Sequence, residues 1–149
     1  MKRNHEPASF ALLKADSYIR GESTLAAVCD EPFDEVAARL EGCLAANDLS
    51  ILHVHDLAQA LAAKGIQLDF RCRIYEVCNA RLAAQLIALD AGLAHVLPCR
   101  IAMHDQGDVT TVTTPMPSAL MTEFSHAAEV ARLARSFEAA MHRVIRGLR

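Results

Sequence analysis

Apolar residues recur along this chain with two periods, one of two residues and one of three to four, and the switches between them lay out an α+β domain. The run TLAAVC at 24–29 reads as a short strand. Glu31-Pro32 then marks a helix start, because proline is tolerated in the first helical turn. Phe33, Val36, Ala37, Leu40, Cys43 and Leu44 follow at helical steps, so they share one face and Cys43 is expected in the core. Asn47-Asp48 ends that helix. From Ser50 to His55 the pattern alternates, with Leu52 and Val54 pointing one way and Ile51, His53 and His55 the other. Asp56 is placed to cap a short helix through Ala63, and Gly65 to end it in the left-handed conformation.

Alternation resumes from Phe70 to Val77, which predicts Phe70, Cys72 and Ile74 on the core side and Arg71, Arg73 and Tyr75 facing outward. Asn79 is a good N-cap for a helix over 80–89. Cys99, Ile101 and Met103 then face the core in a fourth strand, while Arg100, Ala102 and His104 face away. Asp105-Gln106-Gly107-Asp108 turns that strand into a threonine-rich fifth, 109–114, suited to a sheet edge. From Ser118 one long helix is expected to run towards the C-terminus, with Leu120, Phe124, Val130, Leu133, Phe137, Met141 and Val144 on its apolar stripe. Residues 1–22 read as an N-terminal extension, helical in part around Ala11 to Ile19, and residues 23–149 as the domain. The sum is a five-stranded, largely antiparallel sheet with helices packed on one face.

Composition narrows the function classes more than it names one. Of 149 residues 52% are hydrophobic but only 5% aromatic, so the core is expected to be aliphatic and its helices closely packed. A net charge of −3 offers no general attraction to phosphate backbones, and no nucleic-acid partner is expected. No apolar run reaches the length of a membrane span, and the start MKRNHEPASF lacks a secretory apolar stretch, so a cytoplasmic protein without a membrane partner is expected. Five cysteines, an odd number, do not suggest a disulfide framework.

Glu76-Val77-Cys78-Asn79 and Leu97-Pro98-Cys99-Arg100, together with the helix start Pro32-Phe33-Asp34-Glu35-Val36, resemble the bacterial and archaeal family known as domain of unknown function 302. The resemblance extends from about Thr24 to the C-terminus. Ala80 stands where the family usually has proline, and Asn47-Asp48 where a glycine commonly ends the first helix. The resemblance implies a TATA-binding-protein-like α+β fold and a homodimer, and it supplies no activity and no catalytic residues.

Two constellations carry candidate chemistry. Cys78, at a helix N-terminus, and Cys99, at the start of the next strand, are joined by one helix and would meet at one end of the sheet if that helix packs back. Helix amides, Arg81 and Arg100 would lower the Cys78 pKa, making it a nucleophile or, with Cys99, a metal ligand; equally, both are small buried hydrophobes beside a cap. The outward sheet face collects His53, His55, Arg71, Arg73, Tyr75, Arg100 and His104, a surface suited to an anionic small molecule, a metal ion or a haem, or simply to solvent or a dimer partner. Met116, between two prolines, either fills the core or lines a pocket. No serine-hydrolase, zinc-protease, phosphate-loop or dinucleotide motif is present, and the balance leans away from an enzyme. Three readings follow: a dimer that binds a small ligand, metal or haem; a thiol redox sensor or enzyme using Cys78 and Cys99; and a purely structural dimeric module.

Overall fold

A computed structural model describes residues 23–149 and the backbone of Ser17–Arg20. Two strands, β1 (Ser17–Arg20) and β2 (Thr24–Cys29), precede the helix α1 (Phe33–Ala46). Then come β3 (Ser50–Asp56), the short α2 (Leu57–Ala62), β4 (Cys72–Cys78) and α3 (Ala80–Leu89). A 3-10 helix over Ala91–Val96 leads to the hairpin β5 (Cys99–Gln106) and β6 (Val109–Pro115), followed by α4 (Pro117–Thr122) and α5 (Ala128–Arg146). Among the described residues the strands form one antiparallel sheet in the order β1-β2-β6-β5-β4-β3.

The α+β architecture agrees with the alternation in the sequence, and the differences are local. Ser17–Arg20 is an edge strand paired to β2 where a helix through Ile19 was expected; the rest of that expected helix, 11–16, lies outside the described residues. The threonine-rich β6 is an inner strand between β2 and β5 and not an edge. Thr110 and Thr114 are buried there because each hydroxyl finds a carbonyl, that of Glu31 at 3.0 Å and that of Arg100 at 2.9 Å. The expected C-terminal helix is two: Ser125 accepts the Ala127 N–H at 3.3 Å in the break, and Phe124 stands 51% exposed there.

The core sits between the sheet and the helices α1 and α5. Leu25 and Ala27 from β2, Tyr75 and Val77 from β4, Cys99, Ile101 and Met103 from β5 and Val112 from β6 pack against Phe33, Val36 and Leu40 of α1 and Phe137, Met141 and Val144 of α5. Cys43 is half-buried and touches this core from its rim. A satellite cluster lies at the other end of α5, where Val130, Leu133 and Ala134 meet Leu86, Leu93 and Met121. α5 therefore bridges both clusters.

Caps behave as the sequence predicts. Asp56 accepts the Gln59 N–H at 2.9 Å, and Asn79 accepts that of Leu82 at 3.0 Å. Gly65 and Gly107 take positive φ of 79° and 66°, the first after α2 and the second in the β5–β6 turn. At the end of α1 it is Asp48, at φ 56°, that adopts the left-handed conformation in place of glycine.

Among the described residues two buried side-chain oxygens have no hydrogen-bond partner, Glu31 Oε2, whose other carboxylate oxygen pairs with Arg39, and the Tyr75 hydroxyl. The Tyr75 hydroxyl, on a side chain with no exposure, makes no hydrogen bond. An unpaired buried hydroxyl costs stability, so Tyr75→Phe is expected to leave the unfolding free energy unchanged or raise it by up to ~1 kcal/mol. Urea denaturation checks this, and a loss of that size would mean the hydroxyl is satisfied in solution.

Candidate functional site

β4 places its side chains on the faces opposite to those the sequence suggested. Tyr75 lies opposite Ile101 and Val77 opposite Cys99, all on the helix side, whereas Ile74 pairs with Ala102 and Glu76 with Arg100 on the open side. Tyr75 is thus a core residue. Arg71 and Arg73 also leave the open face: their guanidinium carbons stand 4.2 and 5.1 Å from the centroid of the Phe33 ring, and Arg71 donates twice to the Asp34 carboxylate, at 2.9 and 3.1 Å. That hydrogen-bonded pairing holds Asp34 below the usual carboxylate range. The alternation misled because both parities of 70–77 contain large apolar residues, and the cations sit at the strand's first end, where α1 offers an aromatic face and a carboxylate.

β3 carries a bulge. Ile51 pairs with Val77 and His53 with the adjacent Glu76, so Leu52 is an extra residue, 58% exposed. The extra residue breaks strict alternation, which puts Ile51 against the core while His53 and His55 stay outward. The open face therefore collects His53, His55, Arg100 and His104 from the predicted set, together with Ile74 and Glu76.

On this face the His53 and His55 rings are 4.4 Å apart, and His55 Nε2 lies 3.1 Å from Glu76 Oε1. α2 walls an open groove of about 850 Å³ beside them. His104 sits further along, edge-on to Phe70 with ring centroids 6.1 Å apart, and burial pushes its pKa down. Arg100 is exposed and makes no ion pair or side-chain hydrogen bond among the described residues.

The two cysteines are neighbours in the sheet but not a bonded pair. Cys99 pairs with Val77, so Cys78, one residue on, points to the other face, and both thiols are free. Asn79 already takes the Leu82 amide, and burial raises the Cys78 pKa where a depressed value was expected from the helix end. Burial, with a smaller contribution from Cys78, pushes Cys99 up to about 11. Both thiols are therefore expected to react with a disulfide reagent at pH 7.5 more slowly than free cysteine; labelling of Cys78 at or above the free-thiol rate would contradict this. Among the described residues no group of three His, Cys, Asp or Glu side chains is arranged to hold a metal ion, so Cys78 and Cys99 gain no third ligand.

A cavity does open at the Cys99 end. It has a volume of about 260 Å³ and lies between the Leu97-Pro98-Cys99 segment, the end of β6 and α4. Pro117, Leu120 and Met121 form its helical wall, Cys99 part of its inner surface, and Arg100 one margin. His95 and Phe124, with rings in edge contact at 4.5 Å, complete the lining. The cavity's volume lies just below the ~300–1,000 Å³ range of ordinary small-molecule pockets. Met116 is buried in the main core cluster and does not line this cavity.

α4 is fixed by a buried carboxylate. Glu138 of α5 accepts the Ser118 N–H at 3.0 Å and the Ser118 hydroxyl, which ties the first turn of α4 to α5. Neither this contact nor the roles of His95 and Phe124 are legible from residue pattern; only the Pro115-Met116-Pro117 punctuation marks the region.

A family model described as "Domain of unknown function DUF302" matches residues 26–148. The chain belongs to the DUF302 family. A crystal structure of an uncharacterized conserved protein DUF302 from Bacillus stearothermophilus superposes with a TM-score of 0.81, covering 87% of this chain and 100% of that one at 20% identity. That likeness shows the DUF302 fold, an open antiparallel sheet with helices, as the Cys78-Asn79 and Leu97-Pro98-Cys99 elements implied. No curated protein matches the chain. No helix among the described residues of this DUF302 domain is long and apolar enough to cross a membrane.

Proposed function

We propose that this DUF302 chain is a non-catalytic ligand-binding domain whose site is the cavity between the Leu97-Pro98-Cys99 segment and α4. The observation that carries the reading is the cavity itself: about 260 Å³, walled by Val96, Leu97, Leu120 and Met121, with few polar groups converging on it. The thiol at its inner surface, with a pKa near 11, is a lining group rather than a nucleophile. A bound apolar molecule stabilises the folded state by mass action, by about 2.7 kcal/mol at one hundred times its dissociation constant. Saturating 1-hexanol is expected to raise Tm by several degrees in the native chain and by nothing in Leu120→Trp, whose indole fills the space. Equal shifts in both proteins, or none in either, would overturn the reading.

A homodimer closed on the β3 edge is a second reading, supported by a separate observation. β3 ends the sheet, and its Leu52 and Val54 are 58% and 38% exposed, an apolar edge that a two-fold partner would cover with the same two residues. Sedimentation over a dilution series tests it. A dimer that Leu52→Lys dissociates supports it, and a monomer at all concentrations contradicts it.

A further inference from the structure

We propose that the occupant of the cavity is a small anion-headed apolar molecule of the alkyl carboxylate class, its head on the Arg100 guanidinium and its chain against Leu97, Leu120 and Met121. This rests on the cavity being a ligand site and adds the chemistry of what fills it.

Charge on the lining is the starting point. Among the lining residues there is no aspartate or glutamate, and Arg100 brings the fixed positive charge. Its register partner on the open face, Glu76, is the nearest candidate for a counter-ion by sheet pairing. That carboxylate is instead taken by His55 at 3.1 Å, and no carboxylate stands within 4.0 Å of the Arg100 guanidinium among the described residues. The imidazole of the lining, His95, has its Nδ1 engaged with the Gly92 carbonyl. Arg100 is thus the group with donors to spare, and guanidinium donors form a fork that fits a carboxylate with two parallel hydrogen bonds.

Position supports the same assignment. Arg100 lines both the cavity and the open-face groove and is exposed, so it stands where the two meet solvent. Its backbone is held there, because Thr114 donates its hydroxyl to the Arg100 carbonyl at 2.9 Å across the β5–β6 pair. One exposed cation and an aliphatic wall in the same lining match an amphiphile. Size limits its length: a cavity of about 260 Å³ suits a short-chain carboxylate and not a long fatty chain.

Isothermal titration with octanoate, 1-octanol and octylamine separates the parts of the argument. In the native chain octanoate is expected to bind at least tenfold more tightly than 1-octanol, with octylamine weakest. Arg100→Gln, a change at an exposed side chain, is expected to keep the native Tm while removing the preference for octanoate over 1-octanol. Leu120→Trp is expected to abolish binding of all three. Equal affinity for octanoate and 1-octanol, or an octanoate preference that survives Arg100→Gln, overturns the anion assignment and leaves the cavity reading standing. No heat from any of the three probes overturns both.

Discussion

Phe137→Ala is expected to lower the unfolding free energy by about 3–5 kcal/mol, the range for deleting a fully buried aromatic ring. Phe137 has no exposure and sits on α5 within the main core cluster, where α1 and the sheet converge. Deleting its ring removes apolar burial and leaves a void that the close-packed α1 and α5 only partly collapse into. Against a total of roughly 5–15 kcal/mol for a domain of this kind, the variant is expected to be only marginally folded at 37 °C. Its urea midpoint should fall with little change in slope, whereas Phe137→Leu should cost less than half as much. A loss below ~1 kcal/mol for the alanine variant would mean that this part of the core is looser than its burial indicates.

Glu138→Ala is expected to reduce stability and ligand binding together. Its carboxylate takes both the backbone amide and the hydroxyl of Ser118, so removing it leaves two part-buried donors unsatisfied, at a cost of about 1–3 kcal/mol. α4 is only one and a half turns long, from Pro117 to Thr122, and is held by its tertiary contacts more than by its own hydrogen bonds. Hydrogen exchange at 120–125 should accelerate in the variant, and 1-hexanol stabilisation should shrink because Leu120 and Met121 lose their fixed position. Glu138→Gln keeps one acceptor for the amide and is expected to fall between the two. Faster exchange at α4 with undiminished probe binding would show that the helix does not define the cavity wall.

How far the sequence could be read depended on whether one rule of periodicity was enough. It sufficed for β2, α1, α3 and β5, where the apolar positions form one unambiguous stripe and Asn79 or Gly107 marks the boundary. It failed where a second effect competed. In β4 both parities carry large apolar residues, and cation–π contact with Phe33 draws Arg71 and Arg73 to the helix side. In β3 one inserted residue, Leu52, resets the alternation. Thr110 and Thr114 of β6 looked like edge residues because sequence does not show that their hydroxyls are satisfied by Glu31 and Arg100 carbonyls. The site followed the same logic. Cys99 and Arg100 were legible from the Leu-Pro-Cys element, but the wall opposite them comes from α4, some twenty residues on, and its anchor Glu138 twenty residues further still.

The proposed function requires that a ligand binds in the cavity at the Cys99 end. Amide chemical shifts of isotope-labelled protein titrated with octanoate test this residue by residue. Saturable shifts are expected at Val96, Leu97, Cys99, Arg100, Leu120 and Met121, with His53, His55 and the α2 residues Leu57–Ala62 unmoved. Shifts confined to the open face around His53 and His55, or none at saturating octanoate, would contradict it.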